Sequence, residues 1–329
     1  MFRIPSLLLR ALIGTWLARR RHGPLRPSWP FRFEWIIAFM RLDWSTLWRK
    51  RPEFIRRYNE RLALWPGDVK DVRRRPTDAG GVPGTWFDPP AAAKGRVLLY
   101  LHGGSYQFGS SHTHGPLIAR LAKTGSIQAL GLDYRLVPEH PRPAQLEDVL
   151  TAYKWLLAQG TLPEQIAVAG DSAGGHLALA LCAALPTQQL PLPGACVLFS
   201  PWLDLSSSRP SFTTNARYDY GTREMLLAQA RTFAGDLPLD DPRLSPLAAP
   251  IPRLPPTLLV VGSAEVLLDE CREYAARAVA AAQPVTLDLL TDLPHNGLLF
   301  PHEHPAARAG LERAGIFLRS HYRRPPAGA

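Results

Sequence analysis

Gly170-Asp171-Ser172-Ala173-Gly174 closes the apolar run Gln165-Ile166-Ala167-Val168-Ala169 and opens a helical run from Leu177 to Leu185. A serine on the sharp turn between a buried strand and a helix is held in a strained backbone conformation, and only small neighbours two residues either side leave room for it. The pattern nominates Ser172 as a nucleophile for acyl transfer; the plainer alternative is a glycine-rich turn that only joins two elements. Well upstream, Arg96-Val97-Leu98-Leu99-Tyr100-Leu101 reads as a buried strand that ends in His102-Gly103-Gly104-Ser105-Tyr106. Glycines there let bare backbone N–H groups face a pocket, and the tetrahedral intermediate of acyl transfer needs donors aimed at its oxyanion. The N–H groups of Gly103, Gly104 and Ala173 are assigned that role, Ala173 lying at a helix N-terminus where the dipole also favours negative charge.

These residues resemble the hormone-sensitive-lipase-like branch of the α/β-hydrolase esterases, its bacterial members above all. Asp133-Tyr134-Arg135-Leu136-Val137-Pro138-Glu139-His140 followed by Pro143, Ser200-Pro201-Trp202-Leu203-Asp204-Leu205, and Asp241-Pro242 to Ser245-Pro246-Leu247 resemble segments of the same branch. The resemblance runs over residues 95–300. It implies an α/β-hydrolase fold, with a mostly parallel eight-stranded sheet flanked by helices and covered by a helical cap. It also implies a serine carboxylester hydrolase acting through an acyl-enzyme on short- to medium-chain esters of apolar acids or alcohols. Such chemistry requires no metal and no organic cofactor. One departure stands out: Ser105 occupies the place where the branch usually has a third glycine. A side chain there narrows the acyl pocket or adds a hydroxyl donor, which makes Ser105 and Tyr106 candidate pocket residues.

A serine hydroxyl is a weak nucleophile until a base takes its proton. His295, in the loop Leu293-Pro294-His295-Asn296-Gly297 after the alternating run Val285 to Leu290, matches the family's order of serine, acid and histidine. His302 and His304 sit in a proline-flanked stretch that reads as an exposed helix entry, and their spacing is not that of a tetrahedral zinc site. Two acids follow the strand Pro256 to Gly262. Glu265 occupies the family's acid position, where aspartate is commoner; Asp269 falls in the next helix's first turn, where an acid stabilises the dipole without chemistry. Glu265 is the preferred orienting carboxylate. Asp171 adjoins the nucleophile and is expected to bond local backbone beneath the turn.

The elements that must hold these groups follow from the apolar runs. Strands are expected near 69–74, 82–87, 96–101, 127–133, 165–169, 195–200, 257–262 and 285–290, the first pair an antiparallel hairpin around Gly80-Gly81. Right-handed crossovers then give a parallel sheet with the site at the strands' carboxyl ends. Residues 63–205 and 249–325 form the catalytic domain, while 1–62 and 206–248 read as helical and supply the cap. Those two segments carry many aromatic residues, including Trp35, Phe39, Trp44, Trp48, Phe212 and Tyr220, which suits a site for apolar groups, although most such rings simply pack cap on body.

Charge is unevenly placed. The net charge is +10, but residues 1–75 hold 18 Lys+Arg against 6 Asp+Glu, leaving −2 on the rest. A helix from about Pro5 puts Arg10, Gly14 and Arg21 on one stripe and Leu8, Leu9, Leu12, Ile13 and Trp16 opposite, with Arg19 and Arg20 interrupting that apolar face at its end. Such a helix, residues 1–21, suits an anionic membrane surface, or equally a cap helix with a solvated arginine edge. The longest charge-free stretch there, Ala11 to Ala18, is far below the roughly twenty residues of a membrane span. No secretion signal or nucleic-acid-binding module is recognisable, so a cytoplasmic protein, peripheral to the membrane at most, is expected. Cys182, Cys196 and Cys271 lie in apolar elements and read as reduced core residues. A homodimer through the last sheet edge remains open. So do lactone, amide or acetyl-ester hydrolysis by the same triad, an interfacial lipase, and a non-catalytic small-molecule receptor.

Overall fold

The computed structural model describes residues 3–62 and 69–321. Its centre is an eight-stranded sheet in the order β1-β2-β4-β3-β5-β6-β7-β8. The strands are β1 (Arg73–Asp78), β2 (Pro83–Asp88), β3 (Val97–Leu101), β4 (Gln128–Leu132), β5 (Ile166–Asp171), β6 (Ala195–Phe199), β7 (Thr257–Gly262) and β8 (Val285–Leu290). β1 and β2, and β2 and β4, pair antiparallel; the remaining pairs are parallel. The helices are α1 (Arg3–His22), α2 (Phe31–Leu47), α3 (Pro52–Leu62), α4 (Gly115–Gly125), α5 (Ala144–Ala158), α6 (Ala173–Ala184), α7 (Ser211–Thr214), α8 (Arg223–Ala234), α9 (Leu268–Ala280) and α10 (Pro305–His321).

The uninterrupted apolar runs of the central strands are explained by cover on both faces. Leu99 and Leu101 of β3, Val168 of β5 and Leu259 of β7 join the core beneath α5, α6 and α9. Their neighbours Leu98, Tyr100, Ala169 and Val260 join the opposite core, beneath α4, α10 and α2. Six parallel strands therefore aim their carboxyl ends at one rim. There β3 delivers the glycine loop, β5 the serine, β7 the acid and β8 the histidine.

Two expectations shift. β1 begins four residues later than 69–74 because it is an edge strand with mixed exposure, and pairing with β2, Pro76 opposite Thr85, sets its register in place of apolar alternation. Residues 206–248 contain only α7 and α8 as helices, the remainder being turns. The helices of residues 1–62 are less separate from the body than a detached lid. Phe33, Ile36 and Ile37 of α2 share the sheet-face core, and Arg56 of α3 donates to the carbonyls of Gln107 and Val137 and to the Glu139 carboxylate. α1 packs on α2 through the small residues Ala11 and Thr15, leaving Leu9, Leu12, Ile13, Trp16 and Leu17 exposed. No described helix is long and apolar enough to cross a membrane. At the far edge of the sheet, Leu287 and Leu289 of β8 are also exposed.

Candidate active site

Ser172 sits between β5 and α6 with φ 53° and ψ −118°, a left-handed conformation that non-glycine residues enter only under constraint. The constraint is steric. A Cβ on Gly170 would run into the backbone of Gly174, and one on Gly174 into the carbonyls of Leu101 and His102, so β5, α6 and β3 meet without side chains between them. The turn is clamped on its other side by the Ser172 N–H donating to the Phe199 carbonyl (2.9 Å) and by the Trp202 N–H donating to the Ser172 carbonyl (3.1 Å).

His295 stands over this serine. Its Nε2 lies 3.1 Å from Ser172 Oγ and its Nδ1 3.0 Å from Glu265 Oε2. Glu265 is fully buried, and its other oxygen accepts from Ser200 Oγ (2.9 Å) and from the Gly262 N–H. Asp269 is turned elsewhere, accepting from the Ser211 N–H at 2.8 Å, so of the two acids Glu265 is the one that faces the imidazole. Burial disfavours a charge on His295, but the hydrogen bond and charge of Glu265, with Asp219 and Asp171 further off, raise its pKa above the ordinary 6.5.

The glycine loop requires a correction. Gly103 does not offer its N–H to the cavity: that group donates to Asp171 Oδ1 at 2.9 Å. A Cβ on Gly103 would collide with the Asp171 carboxylate, so this glycine exists for that close approach. Gly104 (φ 114°) and Ser105 (φ 51°) are the loop residues that line the cavity beside Ser172. Ala173 opens α6, where the first N–H groups have no intrahelical carbonyl to bond. Asp171 does more than bond local backbone. It also accepts from Tyr100 Oη (2.7 Å) and Asn296 Nδ2 (2.8 Å) and pairs with His114 Nε2 at 3.4 Å. Burial works against its charge, yet His114 and these hydrogen bonds hold its pKa down at about 2. His114 is raised in turn: burial opposes the cation, and Asp171 outweighs it.

The cavity measures about 220 Å³ and is mostly apolar. Ile36, Phe39, Met40 and Trp44 of α2 and Met225 and Leu226 of α8 line it, so both segments expected to form the cap contribute walls. Ser105 lines it too, but its hydroxyl donates to Gln229 Oε1 of α8 at 2.7 Å, so its one proton is not available to substrate. Tyr106, expected in the pocket, is not among its walls. It is fully buried, stacked on Phe233 with ring centroids 3.9 Å apart and hydrogen-bonded to His176 Nδ1, because its left-handed φ of 64° turns the side chain under the loop. His304 also departs from expectation: it is 2 % exposed, packed against Phe33 of α2 at 4.9 Å, whereas its neighbour His302 is exposed. Cys182, Cys196 and Cys271 are all buried and unbridged.

Sequence reasoning missed Asp219. From the turn before α8 its carboxylate accepts the N–H groups of Val266 (2.7 Å), Tyr220 (2.7 Å) and His295 (3.3 Å), tying the acid loop and the histidine loop to residues 206–248. Burial, aided by the charge of Glu265 and opposed by His295, pushes its pKa up to about 6. No motif surrounds it; only the folded contact reveals it. Asn296 lies next to His295 in the sequence, but its bond to Asp171 depends on a fold contact that no local pattern signals.

Strand order, strained serine and histidine–carboxylate pair define a serine hydrolase of the α/β type, and a family model described as an α/β-hydrolase fold matches residues 98–299. The chain belongs to that family, within its hormone-sensitive-lipase-like esterase branch. It is 41% identical over 270 residues to an acetyl-hydrolase of Streptomyces hygroscopicus, covering 79% of this chain and 84% of the relative. It is 36% identical over 251 residues to an esterase of Acinetobacter venetianus, covering 76% and 82%. Among solved structures, an esterase from the bacterial hormone-sensitive lipase family superposes with a TM-score of 0.80 at 36% identity, covering 97% of this chain and 99% of that one.

Proposed function

We propose that this carboxylester hydrolase acts on short- to medium-chain esters of apolar acids or alcohols through an acyl-enzyme on Ser172. The carrying observation is the relay Ser172 Oγ, His295, Glu265 at 3.1 and 3.0 Å, opening into an apolar cavity. Ser172 Oγ attacks the ester carbonyl as His295 Nε2 takes its proton. Glu265 holds the tautomer with hydrogen on Nδ1 and stabilises the imidazolium. The backbone N–H groups of Gly104, Ser105 and Ala173 receive the oxyanion. Collapse breaks the bond to the alkoxy oxygen, which leaves with the proton from His295. Water, deprotonated by the same nitrogen, then adds to the acyl-enzyme, and the acid departs as the proton returns to Ser172.

The volume argues for the short end of the range. About 220 Å³ is below the roughly 300–1,000 Å³ of sites for drug-sized ligands, so a short acyl group with a modest alcohol fills it. The name of the acetyl-hydrolase relative points the same way. The test is steady-state hydrolysis of p-nitrophenyl esters from acetate to palmitate by the wild type and Ser172→Ala. Activity should peak at short chains, and the variant should lose several orders of magnitude, about 10⁶-fold by analogy with other serine nucleophiles. A variant as active as wild type, or a maximum at palmitate, would sink this reading.

A further inference from the structure

α1 turns more apolar surface to solvent than a helix that only packs on its own body has reason to. Such a helix points its large apolar residues inward. Here Ala11 and Thr15 are the buried residues of the inward face, with Ile4, Leu7 and Leu8 half-buried beside them, while Leu9, Leu12, Ile13, Trp16 and Leu17 form a second, solvent-facing apolar ridge. Leu9 is 58 % exposed and Trp16 46 %, and this one helix supplies five of the eleven exposed large apolar residues among the described residues. The orientation is fixed. Trp35 Nε1 donates to the Leu8 carbonyl at 3.1 Å, and Arg19 pairs with Glu34 of α2 at 2.9 Å, so the ridge cannot roll inward without breaking both.

The charge around the ridge selects its occupant. Residues 1–33 contain seven arginines and no aspartate or glutamate. Arg10 and Arg21 flank the ridge and Arg20 lies over the Trp16 ring at 4.3 Å; all three are exposed. An apolar ridge rimmed by arginine, with an interfacial tryptophan in its middle, fits a sheet of anionic headgroups over acyl chains. A second copy of this chain fits poorly, since a two-fold contact of α1 on α1 would crowd arginine against arginine with no acid on either helix. We infer that α1 seats the protein on an anionic lipid surface, its apolar ridge in the acyl boundary and its arginines among the headgroups. α2 lies between this surface and the cavity: Glu34 and Trp35 face α1, whereas Ile36, Phe39 and Met40 line the pocket. The substrate mouth is thereby carried within one helix of the lipid, where apolar esters concentrate.

The test is co-sedimentation of the full chain with phosphatidylcholine vesicles, with and without about one-third phosphatidylglycerol. Wild type should pellet with the anionic vesicles, and raising NaCl from about 50 to about 500 mM should release most of it. Ile13→Asp with Trp16→Asp should weaken binding at least about tenfold on either vesicle, because the ridge itself is lost. Arg10→Gln, Arg20→Gln and Arg21→Gln together should weaken it about as much on anionic vesicles only. None of these residues lines the cavity, so hydrolysis of soluble p-nitrophenyl acetate by the variants reports that they are folded. Wild type remaining in the supernatant with anionic vesicles overturns the inference without need of any variant. So does a wild-type dimer, seen by light scattering, that Ile13→Asp dissociates. Sedimentation reads binding and not turnover, so its outcome is independent of which ester is cleaved.

Discussion

Shortening the buried acid by one carbon is the sharpest test of how the relay is held. Glu265→Asp withdraws the carboxylate by about one C–C bond, 1.5 Å. The backbone is not free to follow. A Cβ on Gly262 would already strike the Leu293 carbonyl, Asn215 Nδ2 donates to the Glu265 carbonyl at 2.9 Å, and the next N–H, of Val266, is bound to Asp219 at 2.7 Å. The 3.0 Å bond to His295 Nδ1 therefore opens to about 4.5 Å, beyond hydrogen-bonding range. A charge-assisted hydrogen bond is worth about 1.5–3 kcal/mol, so kcat/KM on p-nitrophenyl acetate should fall about 10- to 150-fold. Glu265→Gln keeps the length but presents an amide whose N–H₂ opposes the Nδ1 proton; the wrong tautomer should cost about 10⁴-fold. The pH profile separates the causes. His295 acts as a base only when neutral, so activity rises with pH through its raised pKa, and the acid limb should lie above 6.5 in wild type. Without the Glu265 charge, burial dominates and the limb should move to lower pH. Glu265→Asp with wild-type kcat/KM, or Glu265→Gln with an unmoved limb, would refute the reasoning.

Asp219 carries a prediction for stability. Its folded pKa of about 6 lies above the 3.8 of an ordinary aspartate, so its contribution to stability is fully present below about 3.8 and lost as pH rises through about 6. The swing is about 3 kcal/mol, and Asp219→Asn should flatten that part of a urea-denaturation series against pH while weakening the protein overall, because its amide N–H₂ faces the Val266 N–H. A slope unchanged in the variant would assign the dependence to another group. Ser105→Gly removes the bond to Gln229, worth about 1 kcal/mol, and relieves a left-handed serine by a similar amount, so Tm by calorimetry should stay within about 3 °C. The same variant should widen the pocket and move the p-nitrophenyl ester optimum to longer acyl chains; an unmoved optimum would mean that Ser105 does not limit it.

The parts of the site that were readable in the sequence are those where chemistry and backbone both demand particular residues. Ser172 needs glycines at 170 and 174, and the buried parallel strands need unbroken apolar runs, so both leave local signatures. The glycine loop is legible as a loop but not in detail, because composition shows that glycines are needed without showing that the Gly103 N–H is turned to Asp171. The φ values of residues 104–106, and the carboxylate that captures Gly103, decide that. His304 looked exposed because its prolines mark a turn, yet α2, far away in sequence, packs Phe33 over it. β1 slipped because an arginine-rich edge strand has no apolar rhythm to fix its frame. Asp219 left no signal at all: its neighbours in sequence say nothing of the two loops it grips.

Asp171 also separates what can vary in this molecule from what cannot. One buried anion binds the strand before the glycine loop through Tyr100, the loop itself through Gly103, the approach to α4 through His114, and the histidine loop through Asn296. Loops that follow different strands thus share a single knot, and none can shift without stranding a charge in the interior. The cavity walls from α2, α3 and α8 lie outside that knot. Substrate preference can therefore be reshaped in the cap, residue by residue, while the machinery beneath is inherited whole.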